Sequence, residues 1–297
     1  MSRFQSRRQI RSAFTLIELL VVIAIIAILV SLTAAAVMKV LGNIPKVQTS
    51  TEIGEMDQAM ASFMAAYGLQ SPPPSMLSIH ENGAYNPTAN PLDAVTVKFF
   101  QRCFGKTFNV FGPHDWNGDS NTNESYILSG QQCLVFYLGG IPTYTTNGTI
   151  GMTGFAMNNA HPAAPTPGST RNGPFFNFKS SKLVLVNNFP VYMDPWNAKP
   201  KQSAYAFFSS QGKVNGYNAM DCGGVAYPYY QLTTSGLPDY ANNNRYQIIS
   251  AGLNGIFGGT TNHTAYGVAW NPAGGATGAG ADDQSNFSSS ILGAGQH

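Results

Sequence analysis

Residues 14 to 38 read FTLIELLVVIAIIAILVSLTAAAVM, an apolar run of 25 residues whose single ionisable side chain is Glu18. As an α-helix, rising about 1.5 Å per residue, the run is long enough to cross a hydrocarbon core of about 30 Å. A segment in lipid must satisfy its backbone hydrogen bonds internally, so the run is expected to be a membrane-spanning helix. The preceding MSRFQSRRQIRSA carries Arg3, Arg7, Arg8 and Arg11 and no acid, and the first basic residue after the run is Lys39. That bias places the N-terminus in the cytoplasm and everything after Lys39 outside the inner membrane. Glu18 is the anomaly, because ionisable groups inside a bilayer are costly and usually have a partner and a function. The run itself contains no Lys or Arg to serve as one.

A secretory signal peptide is the plainest competing reading. Thr33-Ala34-Ala35-Ala36 offers small residues for a cleavage site after an apolar core. A carboxylate at the start of that core argues against it.

Ala13-Phe14-Thr15-Leu16-Ile17-Glu18, followed at once by the apolar run, resembles the cleavage and methylation motif of type IV pilins and type II secretion pseudopilins. The resemblance implies that a prepilin peptidase cuts between Ala13 and Phe14 and that the new Phe14 amine is methylated. It further implies that Glu18 aligns subunits in a filament, where the Phe14 amine is its natural partner. The family usually has Gly where this chain has Ala13, a residue still small enough for a tight peptidase site.

Beyond the helix the chain is exported in character. Only 10% of the 297 residues are charged, against roughly a quarter in globular domains, and polarity comes from Asn, Ser, Thr, Gln and the 31 glycines. The formal charge of +2 is smaller than the contribution of the leader arginines, so the remainder is mildly acidic and no nucleic-acid partner is expected. Cys103, Cys133 and Cys222 are widely spaced without a CxxC pair, so neither a zinc site nor a redox dithiol is indicated, and one disulfide or three thiols remain open.

In chain order, Gly42 and Pro45 suggest a kink or local melt where the helix leaves the membrane. From residue 48 to 67, Ile53, Met56, Met60, Phe63, Met64 and Tyr67 recur at helical spacing, with Glu52, Glu55, Asp57 and Gln58 assigned to the outer face. Gly68 and Pro72-Pro73-Pro74 end that helix. The expected layout is therefore a leader of residues 1–13, a pilin helix of 14–67 about 80 Å long at 1.5 Å per residue, and a head of 68–297. Residues 69–180 alternate short apolar runs with Asn, Gly, Pro and Thr and read as an inserted, loop-rich elaboration. Within them, Asp115, Asn117 and Asp119 place oxygen side chains at every second position around Gly118, a pattern that can converge on calcium. An EF-hand loop would require Gly at Ser120 and Glu at Tyr126, so the pattern is incomplete. The competing reading is a solvated turn.

Two later stretches strengthen the resemblance. Asp194-Pro195-Trp196-Asn197-Ala198-Lys199-Pro200 is similar to a turn of major type II secretion pseudopilins; Asp194 can cap the turn and Trp196 can wedge against the helix. Ser250-Ala251-Gly252-Leu253-Asn254-Gly255 is similar to their calcium loop. The resemblance implies a calcium site formed by the carbonyls of Leu253 and Gly255 with Asp282 and Asp283. The interval from 260 to 280 is longer than the family's. The five histidines are scattered and no HExxH or GxSxG occurs, so no catalytic residues are assigned.

The expectation is an α+β protein, a long N-terminal helix packed on an antiparallel sheet. Its expected role is a structural, non-enzymatic pseudopilin of a type II secretion system. Its partners would be the prepilin peptidase, other pseudopilins, the inner-membrane secretion platform and lipid. A type IV pilin for adhesion or DNA uptake, or a signal-anchored exported binding protein, is the alternative.

Overall fold

The computed structural model describes residues 15–164, 170–196, 203–233, 236–259 and 265–294. The chain divides into two compact units, Met1–Pro45 and Lys46–His297.

Helix α1 (Leu16–Ala66) begins in the first unit and ends in the second. In the first unit its aliphatic side chains are exposed on every side, from Leu16, Leu19 and Val22 to Leu32 and Leu41. An 18-residue window in this helix has a mean hydropathy of 3.0 with none of it buried. A helix apolar all round and covered by nothing within its own unit is suited to lipid or to other helices. The melt expected at Gly42 and Pro45 does not occur: Pro45 lies inside an unbroken helix. Proline deletes one backbone hydrogen bond, and the favourable runs on both sides carry the helix across it.

In the second unit the periodic reading holds. Ile53, Met56, Met60 and Phe63 are buried in the main core, with Met64 and Tyr67 packed at its edge. Gly68 adopts φ +60° and closes the helix: its N–H donates to Ala65 O at 3.2 Å, and Leu69 N–H donates to Met64 O at 2.8 Å. That pair of bonds is a Schellman cap, for which glycine at the left-handed position is favoured.

Residues 69–180 supply more regular structure than their composition suggests. The apolar run before Phe100 forms α2 (Pro91–Phe104), capped by Asn90, whose side chain accepts from Leu92 N–H, with Pro91 opening the first turn. The run ending at Leu138 contributes α3 (Gly130–Gly139), in which residues 132–138 are all buried. A helix buried on all faces carries no amphipathic signature, which is why alternating loops and apolar runs gave no sign of it.

The strands form small sheets rather than one large one. Four antiparallel pairs are β1 (Leu77–His80) with β2 (Ser125–Leu128), β3 (Pro142–Tyr144) with β4 (Ile150–Met152), β5 (Phe155–Ala156) with β6 (Arg171–Asn172), and β7 (Leu183–Val186) with β8 (Phe189–Tyr192). Next in the chain are β9 (Ala206–Ser209), β10 (Tyr229–Leu232), β11 (Pro238–Tyr240), β12 (Tyr246–Ser250), β13 (Val268–Ala269) and β14 (Gln284–Ser285). They make two three-stranded sheets, ordered β11–β10–β13 and β14–β12–β9, antiparallel except between β10 and β13. The architecture is α+β, with a long N-terminal helix and a head of small, mostly antiparallel sheets.

Aromatic rings hold the main core. Phe63 of α1 stacks on Tyr137 of α3 at 5.4 Å, Phe100 of α2 stacks on Trp116 at 4.6 Å, and Phe136 of α3 meets Phe155 edge-on at 5.1 Å. A second cluster around Tyr229, Tyr230, Ile249, Phe257, Trp270 and Leu292 underlies the C-terminal strands.

Candidate functional site

Ala13 and Phe14, the expected processing residues, lie outside the described residues. The helix start that follows them is defined. Glu18 Oε2 accepts from Thr15 N–H at 2.8 Å and from Thr15 Oγ1 at 2.8 Å, while Glu18 N–H donates to Thr15 Oγ1 at 3.3 Å. This is a capping box, in which Thr and a Glu three residues later satisfy each other's free donors. The Thr-x-x-Glu spacing announces it in the sequence: the first partner of Glu18 is a neutral neighbour three residues away, not a cation. Glu18 and the exposed aliphatic surface of α1 therefore occupy one helix end.

Farther along α1, Glu52 departs from its assigned outer face and is buried. Its Oε2 accepts from Lys182 Nζ at 2.6 Å and Tyr205 O–H at 2.8 Å, and its Oε1 accepts from Gln48 Nε2 at 3.1 Å. Burial pushes this carboxyl up, but those bonds and the Lys182 charge outweigh it, leaving the group below the usual carboxylate range. Helical periodicity counts polar residues as outward, and a lysine 130 positions away gives no local sign of the exception.

Asp194 and the loop after β12 come together. Asp194 Oδ1 accepts from Trp196 N–H at 3.2 Å, the expected cap of its own turn, and Oδ2 accepts from Ser250 Oγ at 2.8 Å. Ser203 Oγ donates to Gly255 O at 2.7 Å. Asp282 receives both donors of one residue, Asn254 N–H and Asn254 Nδ2, each at 2.7 Å. Fully buried Asp283 takes Tyr229 O–H at 2.6 Å and Gly258 N–H at 3.0 Å on Oδ2, while Oδ1 has no partner. Burial pushes Asp194 and Asp283 each up to about 7, and each also responds to neighbouring acids. Of the four residues expected to bind calcium here, Asp283 thus offers an unused buried oxygen. Gly255 O and the Asp282 carboxylate already accept hydrogen bonds, and Leu253 is exposed.

The expected second loop is remodelled. Asn117 faces Asp119 and Glu124, donating from Nδ2 to both, while its Oδ1 accepts from Asp119 N–H at 3.1 Å. Asp115 and Asp119 are also joined by a buried acid from the end of β1, Glu81: one ligand oxygen from each of the three lies within 4.8 Å of the others. Sequence reasoning missed Glu81 because 34 residues of chain separate it from the loop.

A family model described as the prokaryotic N-terminal methylation motif matches residues 8–34. The chain carries a prepilin-type N-terminus. That match is consistent with the type IV pilin-like and pseudopilin family. It spans the leader arginines Arg8 and Arg11, the Ala13–Phe14 junction, the Thr15–Glu18 box and most of the exposed apolar helix. No curated protein and no solved structure matches the chain. The methylation motif and the one long apolar helix found among the described residues together fit a single-pass membrane anchor.

Proposed function

We propose that this protein is a structural pseudopilin of a type II secretion system, held in the inner membrane by α1 with its N-terminus cytoplasmic. A prepilin peptidase removes residues 1–13, the Phe14 amine is methylated, and subunits are drawn from the lipid into a short filament anchored at the inner-membrane secretion platform. The observation that carries this reading is the pairing of the methylation motif with a helix whose apolar side chains are exposed on every face. In a filament that surface would pack against the same surface of other subunits, and the Lys46–His297 unit would decorate the outside. Glu18 and the Phe14 amine set the register. A type II secretion role is preferred to that of a type IV pilin because Asp194 and Ser250, from the two motifs similar to secretion pseudopilins, are hydrogen-bonded. The three cysteines, moreover, are free and buried, without the C-terminal disulfide of many pilins.

Calcium is part of the proposal. Asp282 and Asp283, with the carbonyls of Leu253 and Gly255, would hold it, and the unpartnered Asp283 Oδ1 supports that assignment. The ion would supply positive charge to a buried acidic loop and fix its conformation.

Mass spectrometry of the N-terminal peptide, from protein expressed with its own peptidase, tests the class. A terminus at Phe14 bearing one methyl group is expected, and a retained leader would refute the filament reading. Deleting the gene should then empty the culture medium of secreted proteins while leaving surface pili intact. The reverse phenotype would assign a type IV pilin.

A further inference from the structure

We propose that Glu81, Asp115 and Asp119 form a site for a hard divalent cation, calcium, which fastens the loop between α2 and β2 to the end of β1. The site is separate from the C-terminal loop and does not rest on the filament reading.

Glu81 carries the inference. Its residue is fully buried, and Oε1 is saturated by Trp116 N–H at 2.8 Å, Asn117 N–H at 3.1 Å and Tyr126 O–H at 2.8 Å. The other oxygen, Oε2, is buried and has no hydrogen-bond partner. A buried carboxylate oxygen left unpaired is expensive, and three acids drawn this close raise that cost further. Among the described residues none of the three forms an ion pair with lysine, arginine or histidine. Burial, and to a smaller extent the Asp115 charge, push Glu81 up to about 7. A water could bridge the oxygens but would leave their charge uncompensated.

The remaining geometry suits a cation. Asp115 is held by Gly118 N–H at 2.6 Å and Ser120 N–H at 2.9 Å, and Asp119 by Asn121 N–H at 2.8 Å, so both loop carboxylates are oriented before an ion arrives. Oxygens bound to one calcium at about 2.4 Å stand at most about 4.8 Å apart, whereas magnesium at about 2.1 Å draws them within about 4.2 Å. The separations here, all within 4.8 Å, are short enough for the three carboxylates to share one such ion. Asp115 is partly exposed and Asp119 exposed, which gives the ion a route in, while Glu81 closes the inner side. Glu81 N–H also donates to Glu124 O at 2.9 Å, so a bound ion would tie both ends of the loop to one strand end.

The test is hydrogen–deuterium exchange of the full-length protein in detergent, stripped with chelator and then titrated with calcium chloride. Peptides covering residues 78–82 and 113–126 are expected to slow. With calcium at a hundred times its Kd, exchange through the opened loop should fall by roughly two orders of magnitude. D115N/D119N should abolish that response and leave any response at 252–258 and 282–283 unchanged. Unchanged exchange of 113–126 in the wild type would overturn the proposal, even if the C-terminal loop responds. Should the double variant fail to fold, the wild-type comparison decides alone, and E81Q repeats it with the neutral isostere. The N-terminal peptide, which reads the proposed function, is scored independently in the same digest.

Discussion

Replacing Glu52 with leucine should destabilise the Lys46–His297 unit by about 3–5 kcal/mol, the usual penalty for breaking a buried ion pair from one side. Three donors lose their acceptor, and the buried pair, Lys182 and Tyr205, matters more than the half-buried Gln48. Lys182, whose side chain is 11% exposed, keeps the faces of Tyr192, with its ring centre at 4.5 Å, and Tyr205, at 5.7 Å, and the more distant Asp194 charge. Buried Tyr205 loses the acceptor of its hydroxyl, which alone is worth about 1–3 kcal/mol. Lys179, 58% exposed and 3.6 Å from Glu52, adds little because water screens it. K182M should cost less than E52L, because Tyr205, Gln48 and Lys179 still face the carboxylate. The double variant E52L/K182M removes both charges together and should retain chiefly the Tyr205 loss, about 1–3 kcal/mol. At roughly 2–4 °C per kcal/mol for a unit of this size, E52L should lower Tm by on the order of 10 °C. The assay is thermal unfolding of the detergent-solubilised chain followed by near-ultraviolet circular dichroism. The pH dependence gives a second reading. Because the folded Glu52 carboxyl lies below its ordinary 4.5, its contribution is present above that value and is lost as pH falls through the folded value. The difference between wild type and E52L should therefore shrink in acid. A loss below about 1 kcal/mol for E52L, or a double variant as unstable as the summed singles, would refute the view that Glu52 pins the helix to the head.

Glu18→Ala should leave cleavage before Phe14 intact and lower incorporation into filaments, measured by cross-linking of membranes; unchanged cross-linked ladders would remove the register role. Asp221, buried and bonded to Ser75 and Asn218, is pushed by burial from its ordinary 3.8 up to about 6. Its stability contribution is therefore greatest below 3.8 and declines by up to about 3 kcal/mol as pH rises through 6. D221N lacks this decline, so its Tm relative to wild type should improve between pH 4 and pH 7, and parallel profiles would contradict the burial argument. At Gly68, φ +60° with open space around the missing Cβ, alanine should cost about 1 kcal/mol from backbone strain alone and asparagine less. Equal Tm for the alanine and asparagine variants would show that something other than the left-handed backbone matters there.

The N-terminal half of the fold was legible because its signals are local and strong. An apolar run with one acid, a 3.6-residue stripe from Ile53 to Phe63 and a closing Gly68 each depend on neighbours in sequence, and the structure places all of them as expected. The head was far less readable. Its strands are two to five residues long, too short for a period-two pattern to emerge from noise, and α3 is buried all round and shows no polar face. The Asp194 turn and the Ser250 loop were visible as separate motifs, but their joining through one hydrogen bond across 56 residues was not. The acidic loop failed differently. Alternate-position counting found Asp115, Asn117 and Asp119, but it cannot see Glu81, a residue brought in by strand pairing. The ladder of β1 against β2 is what delivers Glu81.

The Thr15–Glu18 box constrains how the register role proposed for Glu18 would operate. An acid in lipid without a partner would drive assembly simply by seeking a cation, but Glu18 is already hydrogen-bonded by its own helix end. A neighbouring subunit's Phe14 amine would therefore have to compete with the Thr15 donors, and the gain on assembly is the difference between the two arrangements rather than the rescue of a bare charge. Carboxylate oxygens accept more than one donor each, so an incoming amine need not displace Thr15 altogether. A capped helix start presents the carboxylate in one orientation before assembly, which reduces the ordering cost when subunits meet. Proper alignment along the filament would then follow from a preset geometry at this end of α1, and the apolar surface beyond it would supply most of the association energy without specifying where one helix stops against the next.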